Sequence, residues 1–182
     1  MGTWQLDPYH TQVEFSAKHL GMMTVRGYFA DLTTAGDIDP EHPEASRVEV
    51  TIQAASIKTN NDARDNDLRS SNFLEVDTYP LITFKSTDIA STQGDQYKVN
   101  GDLTIKGDTR PVTLELTRLG EFNDPRMGHR IGYNGQTTIN RKDFGLSFNA
   151  MLDGRFVVSD EIKIMLEGEL VEQKDPAETP AN

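Results

Sequence analysis

The 182-residue chain carries 29 acidic against 18 basic side chains, a formal charge of −11, and so lacks the clustered cations that nucleic acid or anionic lipid requires. It contains no cysteine, which excludes disulfides, thiol redox chemistry and thiolate metal sites. No run approaches the roughly 18 consecutive apolar residues of a membrane helix, and one sizeable domain without stable membrane insertion is expected.

The first residues, Met1-Gly-Thr-Trp4, carry no basic region and no apolar stretch, so no signal peptide is expected. The expected location is cytoplasmic as the sequence stands, or periplasmic if a leader has been removed. Val13, Phe15 and Ala17 then alternate with polar neighbours as a first strand, and Val25, Gly27 and Phe29 form a second. Val48, Val50, Ile52 and Ala54 make a third after the proline-rich turn at residues 39–44. Residues 60–71 are polar, with an N-cap at Asn60 or Asn61, and predict one short helix. Asp62, Asp65 and Asp67 are expected to form its solvated face, because the glycine and terminal glutamate of a calcium loop are missing.

Ile82, Phe84 and Ser86 give the fourth strand, and Val99, Gly101, Leu103 and Ile105 the fifth, read straight through Asn100-Gly101. After a turn over residues 107–111, Val112, Leu114 and Leu116 give the sixth. Ile131, Tyr133, Gly135 and Ile139 form the seventh, and Ile164, Leu166, Gly168 and Leu170 the eighth. Residues 143–155 read as a long loop or lid. The domain is expected over 1–172, with 173–182 a polar, disordered tail containing Pro176 and Pro180. Eight strands apolar on one face only predict an all-β antiparallel barrel or sandwich, the barrel closing between the first and last strands.

Gly27, Gly101, Gly135 and Gly168 fall in phase with the large apolar residues of their strands. Two explanations stand side by side: an interior kept partly empty, or strands that need to coil. Motifs for chemistry are sparse. His10, His19, His42 and His129 lack the spacing of a zinc helix, and Ser147 lacks the second glycine of a nucleophile elbow.

Several segments resemble one family. Trp4-x-Leu-Asp7-x-x-His10-Thr-x-Val-x-Phe15, Lys18-His19-Leu-Gly21 and Val25-x-Gly27-x-Phe29 are similar to the opening of YceI-like polyisoprenoid-binding proteins. Ser56-Ile-x-Thr59, Leu68-x-Ser-x-x-Phe73-Leu, Tyr79-Pro-x-Ile-Thr-Phe84-x-Ser86, Tyr97-x-Val-x-Gly101-Asp-Leu-Thr-Ile-x-Gly107 and Arg141-x-Asp-Phe-Gly145 continue the likeness in the same order. The resemblance implies an eight-stranded lipocalin-like barrel. It also implies non-enzymatic binding, storage or transport of a long isoprenoid, an isoprenoid quinone or another amphiphilic lipid in the lumen. No other cofactor is implied, and a homodimer is left open. Many members are exported.

Alternation selects the wall: Val13, Phe15, Phe29, Val50, Ile52, Phe84, Leu103, Ile105, Leu114, Leu116, Tyr133, Ile139, Ile164 and Leu166 are expected to face inward. For any one of them, packing at a closed barrel end is the alternative. Phe144 and Phe148 are expected at the mouth or tucked onto the barrel. The resemblance offers His10, His19 and Arg141 as head-group partners, and Tyr133, polar-tipped on the inner face, could join them, with satisfaction of buried backbone as the alternative. A filled-barrel interaction protein and, more remotely, a lipid-modifying enzyme are the other functions weighed.

Overall fold

A computed structural model describes residues 3–173. In chain order the strands are β1 (Thr3–Leu6), β2 (Gln12–His19), β3 (Met23–Phe29), β4 (Leu32–Ala35), β5 (Glu49–Gln53) and β6 (Ile57–Lys58). Helix α1 (Asp62–Arg69) precedes β7 (Leu81–Ser91), β8 (Gln96–Ile105), β9 (Asp108–Asp124) and β10 (Gly128–Asn140). A small hairpin, β11 (Met151–Leu152) and β12 (Arg155–Phe156), comes before β13 (Glu161–Gln173). The predicted tail lies outside the described residues except for Gln173, which ends β13.

The strand segments outnumber the eight predicted strands because two long strands are broken and β1, β11 and β12 are additional. β3 and β4 are separated only by Ala30 and Asp31 and run antiparallel to β5 and β6, which a 3₁₀ turn at Ala54–Ser56 divides. Two hydrogen bonds carry the ladder across the kink: Ala30 N donates to Ser56 O at 3.2 Å, and Gln53 N to Asp31 O at 3.0 Å. β5 pairs with β7, and the order continues β8, β9, β10 and β13 to β2, which pairs with β3. A strongly curled antiparallel barrel results, closed between the first and last predicted strands. β1 was not foreseen. It pairs with the end of β13 beyond β2, so β1 and β2 together line one edge of β13.

Turn chemistry trims two expectations. The turn expected over 107–111 is a two-residue hairpin at Lys106 (φ 50°) and Gly107 (φ 79°), closed by the pair Ile105↔Asp108. Pro111 therefore lies inside β9. It is tolerated because β9 meets β10 only from Glu115 onward, leaving that edge free at the proline. Residues 143–155 are not one open loop. A 3₁₀ turn at Arg141–Phe144 leads through Gly145 (φ 69°) into the β11–β12 hairpin.

The inward glycines are sites of close approach. A Cβ on Gly101 would sit 2.6 Å from Lys85 O and run into the Phe84 ring. One on Gly27 would sit 2.7 Å from Lys58 O and run into the Phe15 ring. Each glycine lets a phenylalanine lie flat against the wall instead of standing in the lumen. At Gly135 the nearest atoms are Leu116 Cδ1 at 3.0 Å and Leu166 Cγ at 3.2 Å, with backbone no nearer than 3.3 Å. Gly101→Ala should therefore cost more than Gly135→Ala. We expect about 2–3 kcal/mol against about 1 kcal/mol, since backbone cannot yield as side chains do. Urea unfolding of the two variants measures the difference, and equal midpoints would refute it.

Helix α1 forms as predicted, with Asn61 as N-cap accepting from Arg64 N at 2.9 Å. Its predicted solvated acidic face needs one correction. Asp65 is buried and accepts from Thr59 N (2.8 Å) and Thr59 Oγ1 (2.5 Å), which ties α1 to the end of β6. Arg69 extends the docking through Nε to Ala55 O and Nη2 to Ile57 O, both at 2.8 Å. These bonds satisfy carbonyls exposed where the strand kinks. They hold α1 at one end of the barrel, where Leu68 packs against the core.

Candidate functional site

Inside the barrel lies a cavity of about 620 Å³ with an almost wholly apolar wall. Phe15, Phe29 and Phe84 line it from β2, β3 and β7, and Leu103, Ile105, Leu114, Ile139 and Ile164 from the strands that follow. Thirteen of the sixteen predicted wall and mouth residues line it; Val13, Val50, Ile52, Leu166 and Phe148 complete that number. Leu116 and Tyr133 instead line a smaller pocket of about 150 Å³ deeper in the barrel. Phe144 lines neither. It ends the 3₁₀ turn, is 2 % exposed and packs in the core, so of its two expected places it takes the one tucked onto the barrel and not the mouth.

The mouth is recognised by exposed residues among those lining the cavity: Lys18 and His19 at the end of β2, Arg64 and Asp67 on α1, and Phe148 and Ala150 before β11. These elements are fastened together. Leu20 N donates to Val157 O at 3.1 Å, Ser159 N to Lys18 O at 3.0 Å, and the Phe73 and Phe148 rings meet edge to face at 5.4 Å. The segment from Leu146 to Val158 is thus a strap across the opening.

The three head-group candidates drawn from the resemblance are not brought together. Arg141 lines the cavity, yet it is 2 % exposed and its guanidinium is occupied by backbone. Nε donates to Ser159 O at 3.0 Å, and Nη1 to Phe148 O at 2.8 Å and to Leu146 O. Burial pushes its pKa down, and Asp160, 3.4 Å from Nη2, opposes that. Its role is to hold the strap. His10 is exposed on the outer surface, with Nδ1 2.9 Å from Asp7 Oδ2. His19 alone stands at the mouth with its imidazole free of hydrogen bonds among the described residues.

Asp7, His10 and Glu169 lie close enough to suggest a metal, but Arg130 already bridges the two carboxylates, reaching Asp7 Oδ2 at 3.0 Å and also Glu169. Burial alone would raise the Asp7 carboxyl, yet bonds from His10, Tyr9 N and Arg130 together hold it below its ordinary 3.8. The cluster reads as a surface clamp joining the residue after β1 to β10 and β13.

The end of the barrel remote from α1 is polar. By alternation along β10, His129 shares a face with Ile131 and Tyr133. Its Nδ1 lies 2.9 Å from Glu172 Oε2, its Nε2 meets Glu121, and Arg118 pairs with the same glutamate. The Trp4 ring covers the imidazole edge to face at 4.8 Å. The bond to Glu121, ahead of that to Glu172, raises the His129 pKa above 6.5. A raised pKa in the folded state means its stabilisation is complete below about 6.5 and is lost as pH rises through the folded value. Wild type should therefore exceed His129→Gln in thermal stability at pH 6 by a margin that shrinks towards pH 9. A margin that grows with pH would refute this.

Several lining residues escaped the sequence reading. Val25, Ile82 and Val112 lay in phase on predicted strands and were recoverable. Thr137 was in phase but polar. Phe73, Leu74, Val157 and Val158 come from segments with no period, where only tertiary contact shows the inward side.

Comparison with known proteins gives consistent results. The family model described as YceI-like domain matches residues 4–170. A UPF0312 protein of Pseudomonas paraeruginosa is 38% identical over 164 residues, covering 90% of this chain and 83% of that one. The crystal structure of Burkholderia cenocepacia BcnA superposes with a TM-score of 0.79 at 25% identity, covering 91% of this chain and 99% of that one. A Saccharophagus degradans domain described as polyisoprenoid-binding shares the fold, with a TM-score of 0.67 at 17% identity over 95% of this chain and all of that one.

Proposed function

Because the chain belongs to the YceI-like family, we propose that it binds and carries a long-chain isoprenoid, isoprenoid quinone or similar amphiphilic lipid in the barrel lumen, without catalysis. One observation carries this: a cavity of about 620 Å³, apolar throughout its depth and open at a strapped mouth. That volume lies in the ordinary range of ligand pockets, about 300–1,000 Å³. A filled barrel would have no such space.

The chemistry of the wall favours binding over turnover. Apart from Glu14, which by alternation along β2 faces outward, the ionisable residues lining the cavity gather around its mouth, and the Arg141 guanidinium there is committed to backbone carbonyls. Each buried methylene contributes about 0.8 kcal/mol, against about 4–15 kcal/mol for the lost freedom of the ligand. Affinity should accordingly rise with chain length until the lumen is full. The name of the S. degradans domain is in keeping with an isoprenoid occupant.

Mass spectrometry of an organic extract of the purified protein, followed by titration with isoprenoid alcohols of graded length, is the direct test. A stoichiometric lipid and length-dependent affinity are expected. An empty extract together with affinity independent of length would overturn the carrier function.

A further inference from the structure

The inner pocket of about 150 Å³ has a different character from the main cavity. Val13, Val50, Phe84, Leu114 and Leu166 line both, so these shared side chains are all that divides the spaces. Most polar side chains around the inner pocket are already satisfied. Thr11 Oγ1 donates to Asp7 O at 2.7 Å, Ser46 Oγ accepts from Asp39 N at 2.9 Å, and Asp39 Oδ1 accepts from Glu41 N and His42 N. The exceptions are two phenols. Tyr97 and Tyr133 both line the pocket, their rings meet at a centroid distance of 6.2 Å, and neither hydroxyl has a hydrogen-bond partner among the described residues.

Both rings are half-buried, and their unpartnered hydroxyls stay accessible to water or to a ligand oxygen, so each is free to donate. Burial, with the neighbouring Tyr97 oxygen second, pushes the Tyr133 pKa up to about 12, so this hydroxyl is a donor throughout the physiological range. The space can hold a small polar group, since about five water-sized units at about 30 Å³ each would fill it.

We propose that the inner pocket is a polar-end subsite, in which Tyr133, supported by Tyr97, donates a hydrogen bond to a carbonyl or hydroxyl oxygen at the leading end of a lipid whose hydrocarbon occupies the main cavity. This rests on the carrier function. It reverses the expected orientation, in which His10, His19 and Arg141 held the head group at the mouth. Two of those three are engaged elsewhere, whereas the unpaired donors of the inner pocket lie at the opposite end of the apolar space. The ligand enters polar end first, and its tail trails towards the strap.

Two probes of equal chain length separate the contributions: the ketone nonadecan-2-one, which only accepts, and the alkene nonadec-1-ene, which does neither. Both are delivered to wild type, Tyr133→Phe and Tyr97→Phe from cyclodextrin. Tyr133→Phe should weaken the ketone about tenfold and leave the alkene unchanged, with a smaller loss for Tyr97→Phe. Unchanged ketone affinity, or equal weakening of both probes, overturns the subsite while leaving the carrier function standing. If wild type binds neither probe, the carrier function falls and takes the subsite with it. A measurement on the unmutated chain guards against a misfolded variant: with ¹³C-labelled tyrosine, the ring carbon bearing the Tyr133 hydroxyl should shift with the ketone and not with the alkene. Identical spectra with the two ligands overturn the proposal.

Discussion

Replacing Arg141 by methionine should lower the thermal unfolding midpoint by roughly 6–12 °C and release the strap before the barrel melts. The side chain is long and buried, so methionine preserves much of its volume and removes the donors. Three carbonyls, those of Leu146, Phe148 and Ser159, lose their partner together. A hydrogen bond to a charged donor is worth about 1.5–3 kcal/mol net, but the freed strap can turn its carbonyls to water, so the total should stay near 3 kcal/mol. For a domain of this size each kcal/mol moves the midpoint by about 2–4 °C. Arg141→Lys should recover only part of the loss, because an ammonium cannot present the guanidinium fork to three acceptors at once. Amide exchange across residues 146–158 should accelerate more than that of β8 and β9. A midpoint within a degree of wild type would show that the strap is held by other contacts.

Arg141 also shows how far the sequence could be read. Its place in Arg141-x-Asp-Phe-Gly145 marked it as a residue of consequence, but nothing in the motif distinguished a ligand donor from a backbone clamp. That difference lies in where the carbonyls at 146, 148 and 159 arrive, and it is set by tertiary structure. The barrel strands were legible because one-faced burial imposes a period of two, which survives in Val48 to Ala54 and in Ile131 to Ile139. The kinks were not, since Ala54-Ala-Ser56 carries neither glycine nor proline and bends where the ladder passes from β5 to β6. The network of Glu121, His129 and Glu172 left no local trace, its members joining only through the register of β9, β10 and β13. Asp65 misled for the opposite reason: a polar helix suggested solvent on every side, and its partner Thr59 lies just outside the helix.

Thr137→Trp should weaken lipid binding on the order of a hundredfold while leaving the barrel folded, and this variant separates room in the lumen from coiling of its wall. A larger side chain at Gly101, in phase with the wall, is the obvious way to plug the interior. Any side chain there meets Lys85 O and the Phe84 ring before it reaches the cavity, so Gly101→Leu should fail by unfolding and report nothing about binding. Thr137 differs. It faces the cavity from β10 opposite Ile164 on β13, has no hydrogen bond to lose among the described residues, and has open space in front of it. Overpacking ordinarily costs about 1–3 kcal/mol because neighbours must move, and here an indole can grow into the void instead. An indole that displaces about four methylenes of ligand removes roughly 3 kcal/mol of burial, which at about 1.4 kcal/mol per decade is on the order of a hundredfold in affinity. The measurement pairs a thermal melt with titration of a long isoprenoid alcohol. A folded Thr137→Trp protein that binds as wild type does would place the ligand outside the barrel and remove the lumen from the function altogether.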